Sequence, residues 1–143
     1  MTTQQNKDLV RRYVENVLNQ GDLAEADELV APDAVMYHAG APGPIRGLDA
    51  IKLFVTAFRV SFPDLRSPLE DMVTEGDRVM VRFTWSGTQR GDFQGIPPTR
   101  RRFTVTGSGL YRIQDGKIAE VWAEFDTLAL LTQLGVMPAA LPA

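Results

Sequence analysis

The chain contains no cysteine and only one histidine, His38, in 143 residues. Without cysteine there is no disulfide, no thiolate metal site, no iron–sulfur cluster and no cysteine nucleophile. With one histidine, a histidine-rich metal site cannot be assembled within the chain, and a Ser-His-Asp triad would have to use His38. No apolar run nears the roughly 18 residues that mark a membrane-spanning helix. The first twenty residues are polar and mixed in charge, unlike a secretory signal. Positive charge is not in excess either: 15 Lys and Arg stand against 18 Asp and Glu, a net charge of −3. A general nucleic-acid binder usually carries the opposite sign. These absences lead to the expectation of a cytoplasmic protein with neither a nucleic-acid nor a membrane partner.

What is present is ordinary for a globular chain. Apolar residues make up 44% and charged residues 23%. The length suits one domain spanning 1–143, with 135–143 read as a tail. From Thr3 to Asn19 the apolar residues Leu9, Val10, Tyr13, Val14, Val17 and Leu18 form one helical stripe. Gln20-Gly21 stops that helix. Asp22 then reads as an N-cap with Glu25 three residues on. Ala34 to Tyr37 reads as a strand. His38 to Gly47 holds three Gly and two Pro and reads as a loop. Leu48 to Phe62 is helical, with Ile51, Phe54, Val55, Phe58 and Phe62 on one side.

The second half changes period. Leu69–Thr74 reads as a strand. From Val79 the residues Val79, Val81, Phe83 and Trp85 alternate with polar neighbours, the period of a half-buried strand. A Gly/Pro-rich loop follows up to Arg100, and Phe103–Ile113 alternates again. Asp115-Gly116 marks a type I′ hairpin before Lys117–Phe125. Asp126–Leu134 reads as a closing helix that Gly135 caps. Helices gather early and antiparallel strands late, the pattern of an α+β fold with helices on one face of a curved sheet.

Several chemistries lack their motifs. Gly116-Lys117 is followed by Ile118, so no P-loop is present, and Gly107-Ser108-Gly109 is no nucleophile elbow. Acid–base chemistry by carboxylates remains, with His38 as a helper. On the last strand Ile118, Glu120, Trp122 and Glu124 share one parity, which Asp126 continues. A carboxylate beside an indole in a dry pocket has a raised pKa and can shuttle protons. The same position equally suits an N-cap. His38 can orient a carbonyl or stabilise an enolate, or be a hydrogen-bonded loop residue. Phe83 fits core packing, and Trp85 stands where a pocket mouth could lie. Arg90 and Arg100–Arg102 form a basic cluster that reads as a solvated face. Glu120 and Glu124 read as salt-bridge partners.

The stretches FPDL (62–65), EGDRVMVRFTWSGTQRGDFQGIPPT (75–99), YRIQDGKIAEVW (111–122) and D-x-L-x-L-L-x-Q-L-G (126–135) resemble the SnoaL-like polyketide cyclases, or ester cyclases, of the NTF2-like superfamily. The resemblance runs from the first helix to Gly135. It implies a cone, in which a curved antiparallel sheet wraps three to four helices around a deep apolar pocket. It implies intramolecular aldol condensation of a polyketide-like carbonyl compound, with no metal and no organic cofactor. It implies general acid/base catalysis by Asp126, with a contribution from His38. The pocket is expected to be lined by Tyr37, Phe54, Phe83, Trp85, Gln89 and Trp122, and the protein to be a homodimer built on the outer sheet face. Two positions depart from the family pattern: Gln89 stands where members commonly have His, and Arg100 where many have Gly.

Three other readings stay open. A limonene-type epoxide hydrolase would use Asp126 with Arg112, although Gln114 stands where a second Asp is wanted. A ketosteroid-type isomerase would draw on Tyr111 or Tyr37. A non-catalytic NTF2-like binding or assembly module would use the aromatic pocket alone, with Asp126 as a cap.

Overall fold

The computed structural model describes residues 2–137, so most of the expected tail lies outside the described residues. α1 (Thr3–Arg12) opens with a reciprocal capping box: the Thr2 hydroxyl accepts from the Gln5 amide, and the Gln5 side chain accepts from the Thr2 amide. Residues Tyr13–Leu18 continue the same helix as a π-helical segment. The reason is legible in the stripe. Its apolar pairs recur every four residues, so on 3.6-residue turns the stripe drifts around the helix. Wider i→i+5 turns counter that drift and keep Tyr13, Val14 and Val17 facing inward. α2 (Leu23–Leu29) starts at Asp22, whose side chain accepts from the Glu25 amide at 3.2 Å.

β1 (Val30–His38) starts directly after α2 and outruns the strand expected over 34–37. Within the expected loop lies a two-residue strand, β2 (Ile45–Arg46), that pairs with β1. α3 (Leu48–Ser61) follows, then β3 (Leu69–Glu75), β4 (Arg78–Thr88), β5 (Arg102–Gln114), β6 (Lys117–Phe125) and α4 (Thr127–Gln133). Positive φ at Asp115 (52°) and Gly116 (77°) makes the β5–β6 hairpin the expected primed turn.

The strands form one sheet in the order β2-β1-β6-β5-β4-β3. All neighbours are antiparallel except β1 and β6, which run parallel. The sheet is therefore mixed where an antiparallel one was expected. Sequence alternation cannot show this pairing, because it joins residues 85 to 88 positions apart. The α+β architecture, with helices on one face of a curved sheet, is that of the NTF2-like cone. Gly107 helps the curvature: a Cβ there would meet both the Glu124 carbonyl oxygen and the Phe83 ring at 2.5 Å. One buried cluster joins the first helices to the sheet through Val10, Val14, Ile51, Val79, Ile118 and Val121. A second, aromatic cluster gathers Phe58, Phe62, Trp85, Phe93 and Phe103 with Leu130 of α4 and the C-cap residue Leu134.

Candidate active site

A cavity opens where the two clusters meet. With its mouth it takes in about 730 Å³ of space between atoms, open solvent included. Its wall is built from the π-helical segment, α3 and the inward parity of the sheet. Val81, Phe83 and Trp85 come from β4, Tyr111 from β5, and Val121, Ala123 and Phe125 from β6. Aromatic rings pack against one another along this wall. The Phe58 ring lies 5.3 Å from Trp85, and Trp85 lies 4.6 Å from Phe125.

His38 ends β1 on this wall. Its ring is surrounded by Phe54, Phe58 and Phe125, at 4.8, 5.2 and 5.6 Å between centroids. Burial among these rings lowers its pKa from 6.5 to about 4, so it stands neutral. The Gly40 amide donates to Nδ1 at 3.0 Å. A neutral imidazole whose Nδ1 accepts carries its proton on Nε2. His38 is therefore fixed as an Nε2–H donor. The remaining polar side chains of the wall, Tyr13, Ser67, Tyr111 and the Trp85 indole, are uncharged. No Asp, Glu, Lys or Arg is among the described lining residues.

Of the residues singled out from the sequence, His38, Phe54, Phe83 and Trp85 come together on this wall. The others do not. Asp126 is exposed and caps α4, with its Oδ1 accepting from the Ala129 amide at 3.0 Å. Trp122 and Tyr37 stack on each other on the opposite face of the sheet, 5.6 Å apart and 8° from parallel. The Arg78 guanidinium sits over the Trp122 ring there. The cause is one extra residue in β6. Arg112 pairs with Glu120 but Ile113 pairs with Ile118, so the chain bulges at Ala119. Ile118 and Val121 thus both face the core, while Glu120, Trp122 and Glu124 face out. A one-residue offset exchanges the two faces of a strand, and it takes Asp126 out of the cavity with them.

Gln89 is fully buried but belongs to the loop between β4 and β5. Its Nε2 donates to the carbonyls of Gly91, Ile96 and Pro97, and its Oε1 accepts from the Thr99 amide and hydroxyl. Arg100, where the family pattern has Gly, holds a left-handed φ of 61°, the backbone geometry that glycine adopts freely. Arg90 and Arg100–Arg102 are exposed. Arg112 pairs with Glu120 at 2.6 Å, so no Asp126–Arg112 set forms. Tyr111 reaches the cavity and Tyr37 does not.

Sequence reasoning missed Tyr13 and Phe58 as wall residues, because both sit on helical stripes that read as plain core. It also missed Ala123 and Phe125, through the bulge.

The profile of the SnoaL-like polyketide cyclase family matches residues 7–134. The aklanonic acid methyl ester cyclase DauD of Streptomyces sp. (strain C5) is 34% identical over 134 residues, covering 90% of this chain and 80% of DauD. The nogalonic acid methyl ester cyclase of Streptomyces nogalater is 32% identical over 128 residues, covering 84% of this chain and 90% of that enzyme. Among solved structures, TsrD from Streptomyces laurentii superposes with a TM-score of 0.85 at 31% identity, over 96% of this chain and 99% of TsrD. The match from the first helix to the closing one places the chain in the SnoaL-like polyketide cyclase family.

Proposed function

We propose that the chain is a cyclase-type enzyme, working without a cofactor in the cytoplasm. It takes a small apolar carbonyl compound into the cavity and closes a ring by intramolecular aldol condensation. The names of the relatives support a methyl ester of a polyketide-like acid as the substrate class. The observation that carries this reading is a cavity walled by aromatic and aliphatic side chains, in which the polar groups are neutral.

In the reaction, a C–H bond between carbonyls gives up its proton. The resulting carbanion attacks a second carbonyl carbon, a C–C bond forms, and the alkoxide takes a proton back. The product is an isomer of the substrate. The wall folds the substrate so that carbanion and acceptor lie close, which is where proximity lowers the barrier. The Nε2–H of His38 donates to a carbonyl oxygen, a bond that strengthens as negative charge builds. The Nδ1 lone pair is engaged by Gly40, and no carboxylate is among the described wall residues. The proton therefore leaves and returns through water at the mouth. Asp126, an exposed cap, takes no part.

The assay is conversion of aklanonic acid methyl ester, followed by chromatography at unchanged mass. Wild type should form a new isomer. Asp126→Asn should match it within about twofold, because Asn caps a helix as well as Asp does. His38→Ala should lose about 10²-fold, the usual cost of one polarising donor. No conversion by wild type sinks the cyclase reading, and inactivity of Asp126→Asn alone would return the acid/base role to Asp126.

The missing carboxylate also favours a second reading, a binding module that takes up the same ligand and leaves it unchanged. Under either reading we propose a homodimer through the outer sheet face. There Met80, Leu110, Trp122 and Tyr37 pair across neighbouring strands as one apolar row. The rows beside it carry both signs, with Arg82 and Glu124 on one side and Arg112 and Glu120 on the other.

A further inference from the structure

We propose that the hydroxyl of Tyr13 is the donor that recognises a ligand's carbonyl or enolate oxygen at the inner wall of the cavity, and so selects oxygen-bearing ligands over hydrocarbons of the same shape. The proposal rests on the cavity being the ligand site. Tyr13 is 1% exposed and forms part of the cavity wall. Its hydroxyl has no hydrogen-bond partner among the described residues and almost no accessible surface, so a ligand oxygen reaches it only as the neighbouring wall side chains give way. Buried polar groups in folded proteins are nearly always paired, and phenylalanine would fill the same space with nothing left unpaired. A hydroxyl kept there without a protein partner is matched by something that enters.

The surroundings fix what that partner is. Tyr111 meets the Tyr13 ring edge to face at 5.9 Å and lines the same cavity. Burial pushes the pKa of both phenols far up, and for Tyr111 a charged Tyr13 would push it further. Both therefore stay protonated and act as donors. The apolar wall around them offers a ligand oxygen no competing donor among the described lining residues except His38, Ser67 and the Trp85 indole N–H. The fitting ligand is an acceptor, and best one whose oxygen gains negative charge, as the carbonyl of an enolising ketone does. Tyr13 is also the first residue of the π-helical segment. That segment turns the residue inward, and such segments recur at functional sites.

The test uses two ligands of one shape, 2-acetylnaphthalene and 2-isopropenylnaphthalene, which differ by an oxygen in place of a methylene. Binding is titrated by NMR on the wild type, Tyr13→Phe and Tyr111→Phe, with the ketone carbonyl labelled with ¹³C. Wild type should bind the ketone about tenfold more tightly than the alkene, a difference of about 1.4 kcal/mol. Tyr13→Phe should bring the two within twofold, leave the alkene affinity unchanged, and melt no lower than wild type. The bound carbonyl carbon should move downfield in wild type and return towards its aprotic value in Tyr13→Phe. A tenfold preference that survives Tyr13→Phe overturns the proposal and leaves the cavity as the ligand site. Equal affinities in wild type overturn it too. If neither ligand perturbs the cavity residues of wild type, the cavity reading falls and the proposal with it. Should Tyr13→Phe fail to fold, the wild-type carbonyl shift and the Overhauser contact between the acetyl methyl and the Tyr13 ring decide the matter.

Discussion

His38 is a neutral imidazole held against three aromatic rings, and that has a consequence for pH. Its folded-state pKa is lowered to about 4 from the ordinary 6.5. Between these two values the unfolded chain binds a proton that the folded chain refuses. Stability from this residue is complete above about pH 6.5 and is lost as pH falls towards 4. At about 1.4 kcal/mol per unit, the loss approaches roughly 3 kcal/mol. Urea melts of wild type and His38→Gln at pH 7 and pH 4.5 isolate it from the carboxylates that titrate in the same range. Wild type should lose more stability than the variant. Equal losses would show that the imidazole charges freely in the folded state.

At the scale of elements, the loop between β4 and β5 is organised by one side chain. Gln89 satisfies three loop carbonyls and the Thr99 amide and hydroxyl from a fully buried position. Gln89→Leu keeps the bulk and removes these bonds; the Ile96 carbonyl keeps the Phe93 amide, and the other groups lie on exposed or half-buried residues that water can reach in part. The expected cost is roughly 3 kcal/mol, the equivalent of one or two groups left fully unpaired at about 1–3 kcal/mol each. Amide exchange at Thr99 should also accelerate. Unchanged protection at Thr99 would mean the loop holds itself. The elements show how far the sequence could be read. The helix from Leu48, the β5–β6 turn and the Asp22 cap were legible because each has a local cause: an apolar stripe, an Asp-Gly pair, a short acceptor before a helix. The face of β6 was not legible. Its parity was plain from Lys117 to Phe125, but the bulge at Ala119 depends on how β5 pairs with it, which no residue within β6 announces.

For the whole molecule, the outer sheet face is where charge and apolar surface bear on assembly. Trp122 and Tyr37, expected in the pocket, stand on that face instead, stacked and half-buried. If they form the centre of a homodimer, Trp122→Glu should place an unpaired charge there and give monomers. Sedimentation velocity reads this directly, with circular dichroism confirming that the subunit stays folded. A wild type that sediments as a monomer, or a variant that remains dimeric, rejects this face as the interface.

The sequence by itself determined the fold class and the family, because periodicity, capping and turn residues act locally and the motif strings run along most of the chain. It also fixed which chemistries are excluded, since a chain without cysteine and with one histidine cannot supply them. Tertiary structure alone decided which side chains meet in the cavity. The parallel pairing of β1 with β6 joins distant segments. The β6 bulge turns Trp122 and Asp126 outward and Ala123 and Phe125 inward, and the π-helical segment brings Tyr13 to the wall. A strand exchanges its faces with a single extra residue, and a helix shifts its stripe with a single wider turn. The contents of a cavity built from both are therefore set by pairing and packing.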